Sequence, residues 1–173
     1  MTLGMDEKLL ALVKEDEVVQ VCQKLIQLKS VNPPGNERPL AEWVGNYLRE
    51  IGLEVEFIEH TSDRASVLAR LKGAGTAPGL LFSAHLDTVP VGAEAWLHDA
   101  FAGEVAEGKV WGRGTSDMKG GMAAMLVAVK LIKQAGLTLN GDIILALTAG
   151  EETDSLGAVA VAKRSDIMPV QAL

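Results

Sequence analysis

Two apolar runs, Leu80-Leu81-Phe82-Ser83-Ala84 and Ile143-Ile144-Leu145-Ala146-Leu147, are nearly continuous and too short for helices. Such runs suit strands covered on both faces, as in the centre of a parallel sheet. Between them an apolar segment from about Gly121 to Gln134, closed by Gly136, reads as a helix. Strand, helix, strand is a βαβ unit, and its crossover joins parallel strands. The class that follows is α/β, with helices layered on both sides of a mostly parallel mixed sheet.

The rest of the chain is consistent with that frame. Residues 6–29 carry apolar positions at helical spacing, and Asn32-Pro33-Pro34-Gly35 ends this helix in a rigid turn. A second helix spans about Arg38 to Glu50, with Leu40, Val44, Tyr47, Leu48 and Ile51 on one stripe and Gly52 beyond its end. Leu53 to Phe57 alternates as a half-exposed strand, Ser66 to Leu71 reads as another, and Ala102 to Trp111 as a hairpin turning at Glu107-Gly108. There is no internal repeat or linker, so 1–173 is expected to be one unit.

Composition excludes several classes of function. The chain has 23 acids against 16 bases and a net charge of −7. With no basic block, nucleic acid is not an expected partner. The first residues, MTLGMDEKLL, lack a signal peptide's charge pattern, and no apolar run approaches a membrane span; the expectation is a cytoplasmic protein with no membrane partner. Cys22, the single cysteine, sits on the apolar side of a helix and reads as a buried thiol.

Ligands of open α/β sheets bind beyond the carboxyl ends of the strands. His85 and Asp87 directly follow the first apolar run, Glu151 and Glu152 follow the second, and Asp117 lies in the Gly-rich loop before the intervening helix. One imidazole and four carboxylates would converge on one edge, where like charges repel unless a cation is shared. A His/Asp/Glu set is one that zinc accepts. A phosphate loop is a poor reading, because the glycines lack the Gly-Lys-Ser/Thr ending, and no nucleophile elbow is present. His60 is expected to be solvated, His98 and Asp99 to shape a loop, and Met118, Met122 and Met125 to pack.

Three segments, SAHLDTVPVG, GRGTSDMKGGMAA and TAGEETDSLGA, resemble the N-terminal signatures of a zinc amidohydrolase family. That family includes acetylornithine deacetylase, succinyl-diaminopimelate desuccinylase, aminoacylase and carboxypeptidase G. The resemblance implies a zinc-exopeptidase-like catalytic domain holding two divalent metal ions, zinc foremost, with cobalt or manganese as alternatives. It implies His85 as a ligand of one metal, Glu152 of the other, and Asp117 as the bridge. Asp87 would orient His85 and Glu151 would be the general base. The implied reaction is hydrolysis of an amide in an N-acyl amino acid or small peptide, through a metal-activated water. A cis peptide between Asp117 and Met118 is also implied.

The same resemblance implies two further ligands, an acid on the next strand and a distant histidine, and a lid-like domain that pairs subunits. The chain contains none of these and reads as incomplete at its C-terminus, where Pro169 to Leu173 looks like the start of a strand. The chain alone is therefore expected to be inactive or nearly so, with self-association through an unpaired sheet edge. The competing expectation is a non-catalytic metal-binding or assembly module on the same fold.

Overall fold

Along strand β6 (Ile143–Thr148), Ile143, Leu145 and Leu147 join one hydrophobic core while Ile144 and Ala146 join a second on the opposite face. A strand has period two, so an unbroken apolar run is what burial on both faces requires. Each such side chain contributes about 1.5–3 kcal/mol relative to an exposed position. This computed structural model describes residues 5–167 and 170–172.

The main sheet has the order β1-β2-β6-β3-β7, with β1 Glu54–Thr61, β2 Arg64–Leu71, β3 Gly79–His85 and β7 Val170–Ala172. β3 pairs in parallel with β6 and β7, whereas β2 pairs antiparallel with both β1 and β6. The sheet is therefore mixed, with an antiparallel half where the tight turn at Ser62-Asp63 returns the chain directly. Helices α2 (Glu15–Gln27), α3 (Arg38–Glu50) and α4 (Gly120–Gln134) supply the larger core, and α5 (Leu156–Ala162) packs Val161 into the smaller one. Helices thus cover both faces of the sheet. β4 (Glu104–Ala106) and β5 (Lys109–Trp111) form the separate hairpin, with Glu107 and Gly108 at positive φ as a tight return demands.

The single helix expected over residues 6–29 is two. Helix α1 covers Met5–Leu10, Lys14 is extended, and α2 begins at Glu15. Leu12 and Val13, which continue the apolar spacing, are exposed and supply no burial to hold that turn. Glu15, Asp16 and Glu17 then favour a fresh helix start, where acids meet the positive end of the dipole. Cys22 is buried as expected. Among the described residues no helix is long and apolar enough to cross a membrane.

Candidate metal centre

The parallel register pairs His85 with Thr148, so β3 and β6 end side by side and deliver their loops to one place. His85 is buried, with Nδ1 3.0 Å from the backbone carbonyl of Asp87 and Nε2 3.0 Å from Oδ1 of Asp117. Asp117 lies in an irregular turn, Thr115–Lys119, and has non-helical φ/ψ together with Met118. The Asp117–Met118 peptide is cis. Glu151 and Glu152 sit in the turn after β6, and Oε2 of Glu151 comes within 4.0 Å of His85 Nε2. One ligand atom each from His85, Asp117 and Glu152 lies within 4.8 Å of the others. All five residues singled out in the sequence therefore converge.

Asp87 does more than face the imidazole. Its carboxylate is 3.5 Å from His85 Nδ1, farther than its own carbonyl oxygen. The same carboxylate accepts the backbone N–H groups of Glu151 and Glu152 at 3.1 and 3.0 Å and the Nδ2 of Asn32 at 2.8 Å. Asp87 is fully buried, and burial works to raise its pKa. Hydrogen bonds from His85, Asn32 and Glu152 prevail and hold it well below the usual carboxylate range. Asp87 is thus a knot that ties the Glu151-Glu152 turn to the end of β3.

Burial opposes a charge on His85, but hydrogen bonds to Asp87 and Asp117 and the charges of Asp87 and Glu151 push the imidazole up to about 9. Partial burial raises Glu152; His85 acts against this, and Asp117, Glu151 and Asp87 add to it. Among the described residues neither Asp117, Glu151 nor Glu152 meets a Lys or Arg within 4.0 Å. The donor set therefore fits a divalent cation, which would take the place of the proton on His85: a histidine whose Nδ1 is already engaged, leaving Nε2 toward the ligand atoms, beside carboxylates that meet no Lys or Arg among the described residues.

Three supports were not apparent in the sequence. Asn32, buried in the Pro-rich turn, links Asp87 to Oγ1 of Thr153, also at 2.8 Å. Lys119 is buried two residues beyond Asp117, and its ammonium donates to the carbonyls of Leu25 and Leu28 at 2.8 and 3.0 Å. Burial pushes this lysine down to about 8. Arg64 meets the buried Glu37 through two nitrogens and Asp154 through a third, bracing the far side of the turn. Gly150 has φ +86°, and a Cβ there would stand 2.4 Å from Asp154 Oδ1, so only glycine fits before the two glutamates. A polar residue isolated within a Pro-rich turn was the available signal for Asn32; nothing marked the other two.

Of the residues given no chemistry, His98 and Asp99 shape their loop, the first beside Glu104 and Trp111, the second accepting the N–H of Phe101. His60 is not merely solvated: its Nε2 lies 2.8 Å from Oγ of Ser66, which also accepts the N–H of Ala149.

A sequence profile described as "Peptidase family M20/M25/M40" matches residues 81–172. The chain is 36% identical over 169 residues to N-formyl-4-amino-5-aminomethyl-2-methylpyrimidine deformylase of Bacillus subtilis, covering 92% of this chain and 40% of that protein. It is 39% identical over 142 residues to succinyl-diaminopimelate desuccinylase of Methylobacterium radiotolerans, covering 79% and 35%. Human carnosine dipeptidase 1 superposes with a TM-score of 0.70 at 25% identity, over 85% of this chain and 34% of that one. The chain thus spans 35–40% of the length of these two curated relatives. With the profile match extending from β3 to β7 and enclosing all five convergent side chains, the chain belongs to peptidase family M20/M25/M40.

Proposed function

We propose that this chain is the N-terminal, metal-binding part of a metal-dependent hydrolase that cleaves the amide of an N-acyl amino acid or small peptide. The observation that carries this reading is the His85, Asp117, Glu152 group, with Glu151 beside it and, among the described residues, no Lys or Arg within 4.0 Å of its carboxylates. His85 would hold one metal, Glu152 the other, and Asp117 both. Bound there, divalent ions, zinc foremost, would supply Lewis acidity and an activated water. Glu151, whose carboxylate is largely exposed, is free to take a proton from a nucleophilic water and return it to the leaving amine. Asp87 acts through others: it fixes the glutamate turn and, with its carbonyl, the ring of His85.

Each metal would have one private ligand plus Asp117, fewer than the three protein ligands of a catalytic zinc shell. The chain by itself is therefore inactive in this reading. Copies associate through the β7 edge, beside an apolar groove where Leu80 and Phe82 face Met125 and Ile132.

Calorimetric titration with zinc, cobalt and manganese tests the centre, alongside turnover of a panel of N-acyl amino acids. Weak uptake, abolished in Asp117→Asn and kept within a few-fold in Glu151→Ala, is the expected pattern. In a protein carrying the full ligand set, Glu151→Ala should remove activity. Zinc-dependent turnover by this chain alone would overturn its inactivity, and no metal uptake at all would overturn the centre. A monodisperse monomer at high concentration would refute the association.

A further inference from the structure

We propose that the cleft walled by Trp96, Trp111 and Arg113, on the loops next to the metal centre, is a binding site for a carboxylate carried on a short apolar chain. The cleft is open, has a volume of about 410 Å³, and is lined by residues 91–98 together with Trp111 and Arg113. The guanidinium of Arg113 lies 5.0 Å from the ring centre of Trp96. Among the described residues it meets no carboxylate within 4.0 Å; its Nε is buried without an acceptor, which leaves the two Nη nitrogens as the groups a ligand can reach. Arg38, Arg64, Arg70 and Arg164 meet carboxylates, and Arg49, which meets none, reaches Asn46 Oδ1 and the Val55 carbonyl instead. In a chain with a net charge of −7, an unpaired guanidinium in a cleft leaves its complement to a ligand.

The chemistry of the walls narrows the ligand. A guanidinium set over an aromatic ring can still hold a carboxylate end-on, through two parallel bonds from its Nη nitrogens. Both indole N–H groups are already used, Trp96 donating to the carbonyl of Val91 and Trp111 to that of Ala106. The rings are thereby held in place without free donors; His98 and the Lys109 ammonium lie against Trp111, and Leu97, 83% exposed, adds an aliphatic wall. Glu94 also lines the cleft without pairing with Arg113, and its charge disfavours polyanions such as phosphate esters.

One short segment joins the cleft to the centre. Arg113 precedes Asp117 by four residues, so their Cα atoms are at most about 14 Å apart. Turns from Thr115 N–H to the Gly112 carbonyl and from Lys119 N–H to the Gly114 carbonyl fold that segment back. A small molecule anchored at Arg113 would thus lie within one short loop of the metal ligands. That the anchored group is the substrate's own carboxylate rests on the hydrolase reading; the cleft itself does not.

The test uses the protein's own fluorescence, since two of its three tryptophans wall the cleft. Metal-free protein is titrated with butyrate, with butyramide as the uncharged isostere, at constant ionic strength. A saturable response to butyrate with Kd of roughly 1–10 mM is expected, a range suited to one partly exposed charged contact. Arg113→Gln should weaken it at least tenfold, and Arg113→Lys, which keeps the charge and loses the fork, should fall between. The lysine variant also controls for folding. An equal response to butyramide, an unchanged affinity in Arg113→Gln, or no saturable response up to roughly 100 mM would each overturn the proposal. A chain that takes up metal but not butyrate loses this inference alone; one that binds butyrate but no metal loses the hydrolase reading alone.

Discussion

Replacing Asn32 with alanine tests the idea that the Asp87 knot holds the two halves of the centre together. Asn32 is 2% exposed, and its Nδ2 donates to Asp87 Oδ2 and Thr153 Oγ1, each at 2.8 Å. The first bond is charge-assisted and is worth about 1.5–3 kcal/mol, the second about 0.5–1.5 kcal/mol. The backbone bond from Asn32 N–H to the Thr88 carbonyl survives the change, as do the bonds to Asp87 from Glu151 and Glu152. A loss of about 2–4 kcal/mol in urea unfolding follows, with weaker zinc uptake because the turn that carries the glutamates loses its tie through Thr153 to the Pro-rich turn. Asn32→Asp should be worse at neutral pH, since it sets a second carboxylate against Asp87 in a buried site, and should recover as the pH falls and the pair shares a proton. A loss below about 0.5 kcal/mol for alanine, or an aspartate variant more stable than the alanine one at pH 7, would refute the reasoning.

Three further outcomes are expected. Without metal, stability should fall between about pH 6.5 and 8 by up to about 2 kcal/mol, because a histidine held near 9 when folded stabilises fully below its unfolded pKa and loses that contribution as pH rises. Above pH 8 the decline should flatten, since Lys119, pushed down to about 8, releases its proton in the folded state before the unfolded one; unfolding midpoints from pH 6 to 9 that stay flat or rise between 6.5 and 8 would contradict this. Lys119→Met should cost about 1–3 kcal/mol by stranding the carbonyls of Leu25 and Leu28 at the end of α2, and chemical unfolding at pH 7 no easier than for the parent chain would argue against that role. Gly157→Ala should destabilise by more than about 2 kcal/mol, since its Cβ would stand 2.5 Å from Ser66 Oγ and 2.6 Å from the Ala149 nitrogen; a melting temperature unchanged from the parent would show that α5 can shift away.

Four of the convergent residues were legible because they follow the two continuous apolar runs, and Asp117 because its Gly-rich loop leads into the helix between them. Once residues 80–84 and 143–147 are adjacent parallel strands, His85 and Glu151 have little choice but to meet. The break between α1 and α2 was not legible, since Leu12 and Val13 keep the apolar spacing and only their exposure shows that no core receives them. Nor was the fuller part played by Asp87. Its partners include two backbone N–H groups, which carry no side-chain identity, and Asn32, which meets Thr153 across 121 positions of sequence. Arg113 was hidden for a related reason: an arginine without a partner looks the same in sequence as one with a partner.

The strand order carries a consequence for synthesis. β6, formed from residues 143–148, lies between β2 and β3, which precede it in the chain by some sixty residues or more. While a ribosome adds the intervening segment, Val67 to Leu71 and Leu80 to His85 wait as neighbours with no strand between them, their pairing edges open. Open apolar edges invite pairing with other chains, and long-range pairings of this kind form slowly. Insertion of β6 covers these two edges and, in the same movement, brings Glu152 up to His85.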